Sequence, residues 1–452
     1  MDLNKLYSYK RTGKKSINVS ADPRSEFQRD FDRIIFSSAF RRLQNKTQVF
    51  PLPGSVFVHN RLTHSLEVAS VGRSLGSLVG QVIYNKFKND LSEESRDFYR
   101  YSLNDVIASA SLCHDIGNPA FGHSGEDAIA SYFKKNENSI SPQLSKEEWN
   151  DLVNFEGNAN AIRVLTQQQN GKSEGGLLLT YSTLSAIAKY PCESVAKDKH
   201  FIHRKKFGFF QSEKETFMDI ADETLMTRLG SSPLIYQRHP FVWLVEAADD
   251  ICYHIIDFED AHRLGIVEHT ECLETLKNLV LQFDDKHKIE TTLNGITDKN
   301  AKISYLRAKS ISALTMRTKE VYENHIEEFL KGSFTKSLLD VINDETGALK
   351  GIIDFSVKNI YNNRNVVEIE NAGYNVMYEL LSHFIPPILK HKGSREKSDD
   401  KAIKLLPPAF NYEGDTPYKR VLGVVDYISG MTDNYATDLY KRIKGIEIGM
   451  KI

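Results

Sequence analysis

Residues 111–126 read SLCHDIGNPAFGHSGE, and the rest of the chain is organised around them. The apolar residues that lead into this stretch follow helical spacing: Val106, Ile107, Ala110 and Cys113. Gly117 and Pro119 predict the end of that helix, because glycine accepts left-handed backbone and proline cannot continue a helix. His114 and Asp115 lie at its C-terminal end and carry good ligand atoms for a divalent metal. A solvated, capped helix end would look the same, so the interpretation depends on further ligands elsewhere.

The composition is that of a globular protein without a dominant surface charge. Of its 452 residues, 40% are hydrophobic and 26% charged, and the net charge of −2 provides no overall field for nucleic acid or membrane. No apolar run approaches the length of about 18 residues that spans a bilayer. No apolar core follows the basic N-terminus, so we expect no secretory signal. The four cysteines lack metal-finger spacing and predict reduced thiols in a cytoplasmic protein: Cys113, Cys192, Cys252 and Cys272.

Helical periodicity recurs along the chain, with few strands and no internal repeat, which predicts an all-α protein. Asp22 and Pro23 predict the start of a first helix that runs to Leu43, and a second helix is expected to begin near Asn60. The stretch 212–215 has the pattern of a capping box. Further helices are expected from Ser124, over 240–262, and as a closing pair over 417–429 and 432–444.

The helix predicted over 240–262 carries a polar stripe on an otherwise apolar segment. Asp249, Tyr253 and Asp257 recur at intervals of four residues, and Glu246 and Asp260 extend the same face. A solvated face would normally include Lys or Arg, and this one has neither. Because buried carboxylates are costly unless they are paired or bind a metal, the stripe predicts an inward-facing functional site.

A second histidine completes a plausible metal set. His64 lies on the helix expected from residue 60, and Arg61 precedes it on the same face, where a guanidinium suits a phosphate group. Together with His114, Asp115 and Asp249, His64 gives two imidazoles and two carboxylates. Such a set suits one divalent cation that keeps open positions for water and substrate.

With these residues in place, the chain resembles the HD-superfamily deoxynucleoside triphosphate triphosphohydrolases, in particular the bacterial dGTPase branch, over nearly its whole length. The motifs that carry the resemblance are RSEFQRD at 24–30, FRRLQ at 40–44, NRLTHSLE at 60–67, HDIGNP at 114–119, FGH at 121–123, FEGNA at 155–159, LTY at 179–181, KYP at 189–191, EAADDICY at 246–253 and DYISGMTD at 426–433. The resemblance implies an HD-domain helical fold with additional C-terminal helices. It implies one unit over 1–452, with a catalytic core at 24–265 and an extension at 266–452 that contributes to the pocket and to oligomer contacts.

The resemblance also implies roles for individual residues. The metal ligands would be His64, His114, Asp115 and Asp249, holding Mg, Mn or another transition metal such as Fe, Co, Ni or Zn. The catalytic pair would be His123 and Glu126. Substrate contacts would come from Gln48, which reads the deoxyribose 3′-hydroxyl, and from Arg61, Lys206, Tyr253, Asp257 and, as a phosphate contact, Arg420.

The implied activity is metal-dependent hydrolysis of dGTP and other dNTPs to deoxynucleoside and inorganic tripolyphosphate, which would control dNTP pools. The implied assembly is a closed homo-oligomer, commonly a hexamer, with an allosteric dNTP as a further expected partner. The basic N-terminus predicts a mobile, solvated arm that could make weak contacts with single-stranded nucleic acid: Lys5, Lys10, Arg11, Lys14 and Lys15. Two alternatives stay open, another HD phosphohydrolase (a nucleotide phosphatase or cyclic nucleotide phosphodiesterase) and a non-catalytic nucleotide- or nucleic-acid-binding regulator.

Overall fold

A computed structural model describes residues 1–14, 23–50, 58–169, 171–172 and 174–449. Helices make up nearly all of its regular structure, which confirms the all-α prediction. The first twelve α-helices are α1 Glu26–Ile35, α2 Ser38–Arg42, α3 Arg61–Phe87, α4 Glu93–Asp97, α5 Leu103–Cys113, α6 Gly122–Lys135, α7 Glu137–Ile140, α8 Lys146–Val153, α9 Gly157–Thr166, α10 Tyr181–Ile187, α11 Lys214–Glu223 and α12 Val242–Arg263. The others are α13 His269–Val280, α14 Lys286–Gly295, α15 Lys299–Lys331, α16 Leu338–Thr346, α17 Lys350–Phe355, α18 Arg364–Leu389, α19 Lys397–Leu405, α20 Pro417–Ser429 and α21 Asp433–Ile443. Within the described ranges the named strands are β1 Arg228–Ser231 and β2 Leu234–Tyr236, which form one antiparallel hairpin.

Two apolar cores organise these helices. In the first core, α3 packs against α5, α12 and α15, while α1 and α10 pack against α5. In the second core, α18 packs against α6, α20 and α21. The predicted metal ligands come from elements of the first core, and His123 and Glu126 lie on α6 of the second. The candidate site therefore lies where the two cores meet.

Capping residues decide where the N-terminal helices begin. The Asn60 side chain accepts from the Thr63 amide and starts α3, as the sequence predicts. The first helix differs from expectation, because Ser25 and Gln28 form a capping box and α1 starts at Glu26, after Pro23. Asp22 lies outside the described residues. The predicted continuous helix is also interrupted, since Ser37 caps a separate short helix, α2.

The N-terminal segment is not a solvated arm. Arg11 is buried, and its guanidinium lies 2.6 Å from both the Glu26 and the Asp30 carboxylates. The Met1 amino group donates to the carbonyl of Leu330 at 2.7 Å. The prediction of a mobile arm is therefore wrong for residues 1–14, because the buried guanidinium needs carboxylate partners that only the folded core supplies. Lys15 lies outside the described residues.

The capping box expected at 212–215 is also absent from the structure, which describes all of these residues. Helix α11 begins at Lys214 after a short turn, without a side-chain cap. Ser212 instead accepts a hydrogen bond from the Arg163 guanidinium at 2.9 Å and donates to Glu213. The pairing with Arg163 outweighs the local capping contact because a buried guanidinium is costly to leave without hydrogen-bond partners.

Two predictions from composition agree with the structure. All four cysteines are buried and none is disulfide-bonded. Among the described residues, no helix combines the length and apolar character needed to cross a membrane.

Candidate metal centre and substrate cleft

Three helices bring the predicted metal ligands together. His64 on α3, His114 directly after α5 and Asp249 on α12 place their ligand atoms within 4.8 Å of one another. Nε2 of His64 lies 3.1 Å and Nε2 of His114 lies 3.3 Å from Oδ1 of Asp249. The fourth predicted ligand, Asp115, places Oδ1 3.6 Å from Nε2 of His114. Residues far apart in sequence thus form one cluster.

The hydrogen bonds of His114 and Asp115 suit a bound cation. His114 Nδ1 donates to the Ser111 carbonyl at 2.7 Å, which leaves Nε2 with its lone pair in the neutral ring. That Nε2 is buried and has no hydrogen-bond partner among the described residues. The Asp115 carboxylate is oriented from outside by the Arg61 guanidinium and by Asn118 Nδ2, which lies 2.6 Å away. An unpartnered nitrogen beside carboxylates that are held in place is the arrangement that metal sites use.

Both carboxylates of the cluster are held in their charged form. Burial would raise the pKa of Asp115, but Arg61 and the neighbouring imidazoles of His114 and His64 together outweigh it and lower the pKa to about 2. Burial likewise opposes ionisation of Asp249, but Lys189, whose Nζ lies 2.8 Å from Oδ2, holds its pKa well below the usual range. Two anionic oxygens therefore face the two imidazoles.

The predicted catalytic pair forms a hydrogen-bonded unit on α6. His123 Nδ1 lies 2.8 Å from Glu126 Oε2, and the other carboxylate oxygen accepts the Gly157 amide at 2.7 Å. The His123 ring is 83% exposed to the open cleft, whereas the Glu126 side chain is 10% exposed. The hydrogen bond to Glu126 raises the pKa of His123 above its ordinary value. The pair therefore presents an oriented imidazole whose free nitrogen can reach a substrate.

The loop before α6 contains the left-handed backbone that the sequence places at Gly117. Phe121 has φ 60° and ψ 20°, and Gly122 follows with φ 57°. A non-glycine residue in this conformation costs about 1–2 kcal/mol. The Phe121 amide donates to Asp433 Oδ1 at 3.0 Å, and its ring packs against Gly373 of α18. These contacts outside the loop hold the turn that aims His123 into the cleft.

Gly117 has a different role from the predicted one. Its backbone is not left-handed, but a Cβ atom there would lie 2.1 Å from the Gly157 carbonyl oxygen and from the Ala161 nitrogen. Glycine is required because α9 packs directly on the turn. Through this contact the Gly157 amide, at the start of α9, lies where it can donate to the Glu126 carboxylate.

A cavity of about 480 Å³ opens beside the cluster. It is lined by His114, Asp115, Asp249 and His123, together with four of the predicted substrate residues, Gln48, Arg61, Lys206 and Tyr253. Lys206 Nζ pairs with Glu156 at 2.9 Å, and Lys189 also lines the cavity. Three cations therefore surround a space next to the carboxylates, a charge pattern that suits a polyphosphate held against a metal.

The structure does not bring the two remaining predicted substrate residues to this lining. Asp257 is buried on α12, one turn beyond Tyr253, with Oδ2 unpartnered among the described residues. Burial, and then the charge of Asp260, raise its pKa well above the usual range. Arg420 lies on α20 and donates to the Ile388 carbonyl at 2.6 Å, away from the cavity.

Several lining residues have no predicted role. They are Asn118, Asn158, Lys189, Tyr190, Tyr361, Val366 and Glu370. Tyr361 stacks on Tyr253, with ring centroids 5.6 Å apart and planes inclined by 15°. The KYP motif marks Lys189 and Tyr190 in the sequence, whereas Tyr361 and Glu370 lie in a charged helical region that has no distinguishing pattern.

The fold and the site together define a class of protein. Helices that collect a His-Asp pair, a second histidine and a distant aspartate beside a cationic cleft describe a phosphohydrolase of the HD type. In agreement, residues 340–442 match the family model described as a phosphohydrolase-associated domain.

Relatives identify the family within that class. The chain is 38% identical to a deoxyguanosinetriphosphate triphosphohydrolase-like protein of Synechocystis sp., over 99% of this chain and 100% of the relative. It is 33% identical to a protein of the same name from Listeria innocua, with the same shares covered. It is 30% identical to the deoxyguanosinetriphosphate triphosphohydrolase of Yersinia enterocolitica, over 93% of this chain and 94% of the relative. The chain belongs to the HD-superfamily deoxynucleoside triphosphate triphosphohydrolases and is a hydrolase of that type.

Proposed function

We propose that the enzyme hydrolyses dGTP, and other dNTPs more slowly, to deoxynucleoside and inorganic tripolyphosphate, using one divalent cation, and thereby limits dNTP pools. The observation that best supports a bound metal is the buried Nε2 of His114, which has no hydrogen-bond partner among the described residues and faces the ionised Asp115 and Asp249. His64 supplies the second imidazole. When bound to these four side chains, the cation would polarise the α-phosphate. Mg, Mn, Fe, Co, Ni and Zn all suit this ligand set.

The cations of the cleft would hold the triphosphate. Arg61, Lys189 and Lys206 line one cavity and are each already paired with a carboxylate, so their positions are fixed before substrate arrives. Charges that are held in place lose little entropy when they bind an anion. They would neutralise the phosphate oxygens and orient the α-phosphate toward the metal cluster.

His123 would donate the proton that the leaving group needs. Water attack at the α-phosphorus breaks the bond to O5′, and O5′ must gain a proton to leave as the deoxynucleoside hydroxyl. His123 Nδ1 is engaged by Glu126, so Nε2 is the nitrogen available to the substrate. The raised pKa of His123 favours the protonated ring, which suits a general acid.

Gln48 would read the sugar. It lines the cavity, and its Oε1 is buried without a partner among the described residues. A 3′-hydroxyl can donate to that oxygen and accept from the amide nitrogen of the same side chain. A 2′-hydroxyl that became buried without a partner would cost about 1–3 kcal/mol, so GTP should be a poor substrate.

Glu370 and Tyr361 support a preference for guanine. Tyr361 and Tyr253 offer stacked aromatic rings in the same cavity as the Glu370 carboxylate. A carboxylate only accepts hydrogen bonds, and guanine presents N1–H and N2–H donors side by side. The other three bases lack this pair of donors. The Glu370→Gln variant should therefore lose the preference for dGTP over dATP while retaining turnover.

The experiment that tests the proposal is a hydrolysis panel with all four dNTPs, run after chelation and after return of each candidate metal. We expect no turnover without metal, recovery with at least one divalent ion, and loss of turnover in Asp249→Ala with the fold intact by circular dichroism. Undiminished turnover in the presence of chelator and in Asp249→Ala would contradict the proposal.

We also propose a homo-oligomer, as a hexamer, through the C-terminal extension. Several apolar side chains of that region are exposed in the single chain: Met316, Val357, Val367 and Leu405. Sedimentation should show a multiple of the chain mass at micromolar concentration. A fully active monomer would contradict this assembly.

A second cavity is the proposed place for an allosteric dNTP. It measures about 450 Å³ and is lined by Arg42, Lys46, Lys172 and the ring of Phe410. Lys46 also donates to the carbonyl of Asn118, the residue that orients the ligand Asp115. One dNTP should therefore change the rate on another, and Arg42→Ala should remove this effect while keeping the basal rate. An unchanged effect in Arg42→Ala would exclude this cavity.

A further inference from the structure

Asp433, the first residue of α21, joins two separate walls of the substrate cavity. It is 1% exposed, and its two carboxylate oxygens face different segments. Oδ2 accepts the Thr47 amide at 2.9 Å and also the Thr47 hydroxyl. Oδ1 accepts the Phe121 amide at 3.0 Å.

Each of these segments carries a residue of the site. Thr47 directly precedes Gln48, and Phe121 lies two residues before His123. Little regular structure holds either segment at the contact with Asp433, since Thr47 makes one isolated bridge to Asn60 and Phe121, with left-handed backbone, directly precedes α6. The distance between the sugar-facing side chain and the imidazole therefore depends on contacts from outside both segments.

The helix and turn that precede Asp433 are themselves fixed by buried hydrogen bonds. Helix α20 is fixed by Arg163, which makes two hydrogen bonds of 2.7 Å to Asp426. Lys46 adds a parallel link, because its Nζ donates to the Ser429 carbonyl at 2.9 Å and to the Asn118 carbonyl at 2.6 Å. The chain around the turn between α20 and α21 is thus linked to both walls through hydrogen bonds of the buried Asp433 and Lys46 side chains.

We propose that Asp433 is a positioning residue that sets Gln48 and His123 at the separation that a deoxynucleotide requires. The inference rests on the proposed function and adds a residue from outside the cavity to it. An asparagine has one acceptor oxygen where Asp433 uses two, so Asp433→Asn must release either the connector or the catalytic loop. Misplacement by about 1 Å can cost about a hundredfold in rate.

The experiment compares kcat and KM on dGTP and GTP for the wild type, Asp433→Asn, Gln48→Ala and the double variant. We expect Asp433→Asn to lower kcat on dGTP about tenfold or more and to reduce discrimination against GTP, with a smaller change in KM. We expect Gln48→Ala to cost much less in the Asp433→Asn background than in the wild type, because the glutamine is already misplaced.

The matched control is Asp30→Asn. Asp30 is fully buried and accepts the Thr180 amide at 3.0 Å and hydroxyl at 2.6 Å, the same contacts that Asp433 makes to Thr47, but neither Asp30 nor Thr180 lines the cavity. This variant should lower the melting temperature and leave the ratio of dGTP to GTP turnover unchanged. If Asp433→Asn behaves in the same way, Asp433 is merely structural and the inference is overturned.

Two variants of Thr47 serve if Asp433→Asn does not fold. Thr47→Ser keeps the hydroxyl that donates to Asp433 and should retain sugar discrimination, whereas Thr47→Val removes it and should lose discrimination. Equal discrimination by both variants would overturn the inference alone. A wild type that turns over dGTP and GTP equally would instead contradict the proposed reading of the sugar, and the inference with it.

Discussion

His123 is the residue whose protonation the hydrolysis rate should follow. The hydrogen bond to Glu126 raises its pKa, so the ring stays protonated to a higher pH than an ordinary histidine. Because the protonated ring is the form that can donate to O5′, kcat should fall as the pH rises through that raised pKa. In Glu126→Gln this fall of kcat at high pH, the alkaline limb of the pH–rate profile, should move to lower pH. A pH–rate profile of both proteins measures the shift.

The control for this prediction is the next residue of the same helix. Asp127 is an exposed carboxylate, and Asp127→Asn should leave the alkaline limb in place. If the pH at which kcat falls is the same in Glu126→Gln as in the wild type, Glu126 does not influence the protonation of His123 during turnover.

Gln48→Ala tests the sugar contact directly. Loss of a hydrogen bond to the 3′-hydroxyl should cost about 1–3 kcal/mol, or about fivefold to 150-fold in kcat/KM on dNTPs. Metal affinity, measured by titration calorimetry, should stay near the wild-type value, since Gln48 is not a ligand. Parallel losses of metal affinity and activity would place Gln48 in the metal centre instead.

At this scale the sequence indicates the residues that carry distinctive chemistry. Asp249 stands out because it lies in an acidic stripe without Lys or Arg, whereas the His114–Asp115 pair and His64 gain their meaning only in combination with it. The fold brings His64, His114 and Asp249 together. Tyr361 and Glu370 could not be found in this way. The position of Glu370 depends on α18 packing against α6, and that of Tyr361 depends on stacking against Tyr253 of α12. No local sequence pattern records either contact.

At the scale of elements, Gly373 of α18 determines how closely the helix approaches the catalytic loop. A Cβ atom there would lie 2.4 Å from Cγ of Phe121, so Gly373→Ala must displace the ring or the helix. We expect a lower melting temperature and a reduced kcat, because the displaced loop leads directly into the first turn of α6, which carries His123. Thermal unfolding and dGTP turnover measure the two effects.

Gly351 provides the matched substitution. It also lies in a helix, α17, but the nearest atom to its added Cβ would be 3.8 Å away, which is ordinary contact. Gly351→Ala should therefore be neutral or stabilise by up to about 1 kcal/mol. If both alanine variants behave alike, the close approach of Gly373 to Phe121 is unimportant.

The helix boundaries show what local sequence can determine. The start of α3 follows from one capping residue, Asn60, and was predictable. For α1 the sequence offers two good capping residues, Asp22 and Ser25. The helix starts after Ser25, which forms a capping box with Gln28. The role of Gly117 depends on contact with α9, a non-local fact that glycine's conformational freedom cannot reveal.

At the scale of the whole molecule, the site joins two cores, so metal binding should stabilise the entire fold. A ligand that binds only the native state at about a hundred times its Kd adds about 2.7 kcal/mol to the free energy of unfolding. The melting temperature should therefore rise with added Mn in the wild type and not in Asp249→Asn, as measured by scanning calorimetry. An equal rise in both proteins would indicate binding elsewhere.

The most direct test of the account identifies the products of dGTP cleavage by phosphorus NMR, with the divalent metal that supports turnover. If the cluster of His64, His114, Asp115 and Asp249 holds the metal and His123 protonates O5′, as proposed, the products are tripolyphosphate and deoxyguanosine in equal amounts. In ¹⁸O-water the label should enter the tripolyphosphate and not the nucleoside. Pyrophosphate with dGMP, or orthophosphate with dGDP, would show that another phosphorus is attacked and would contradict the account.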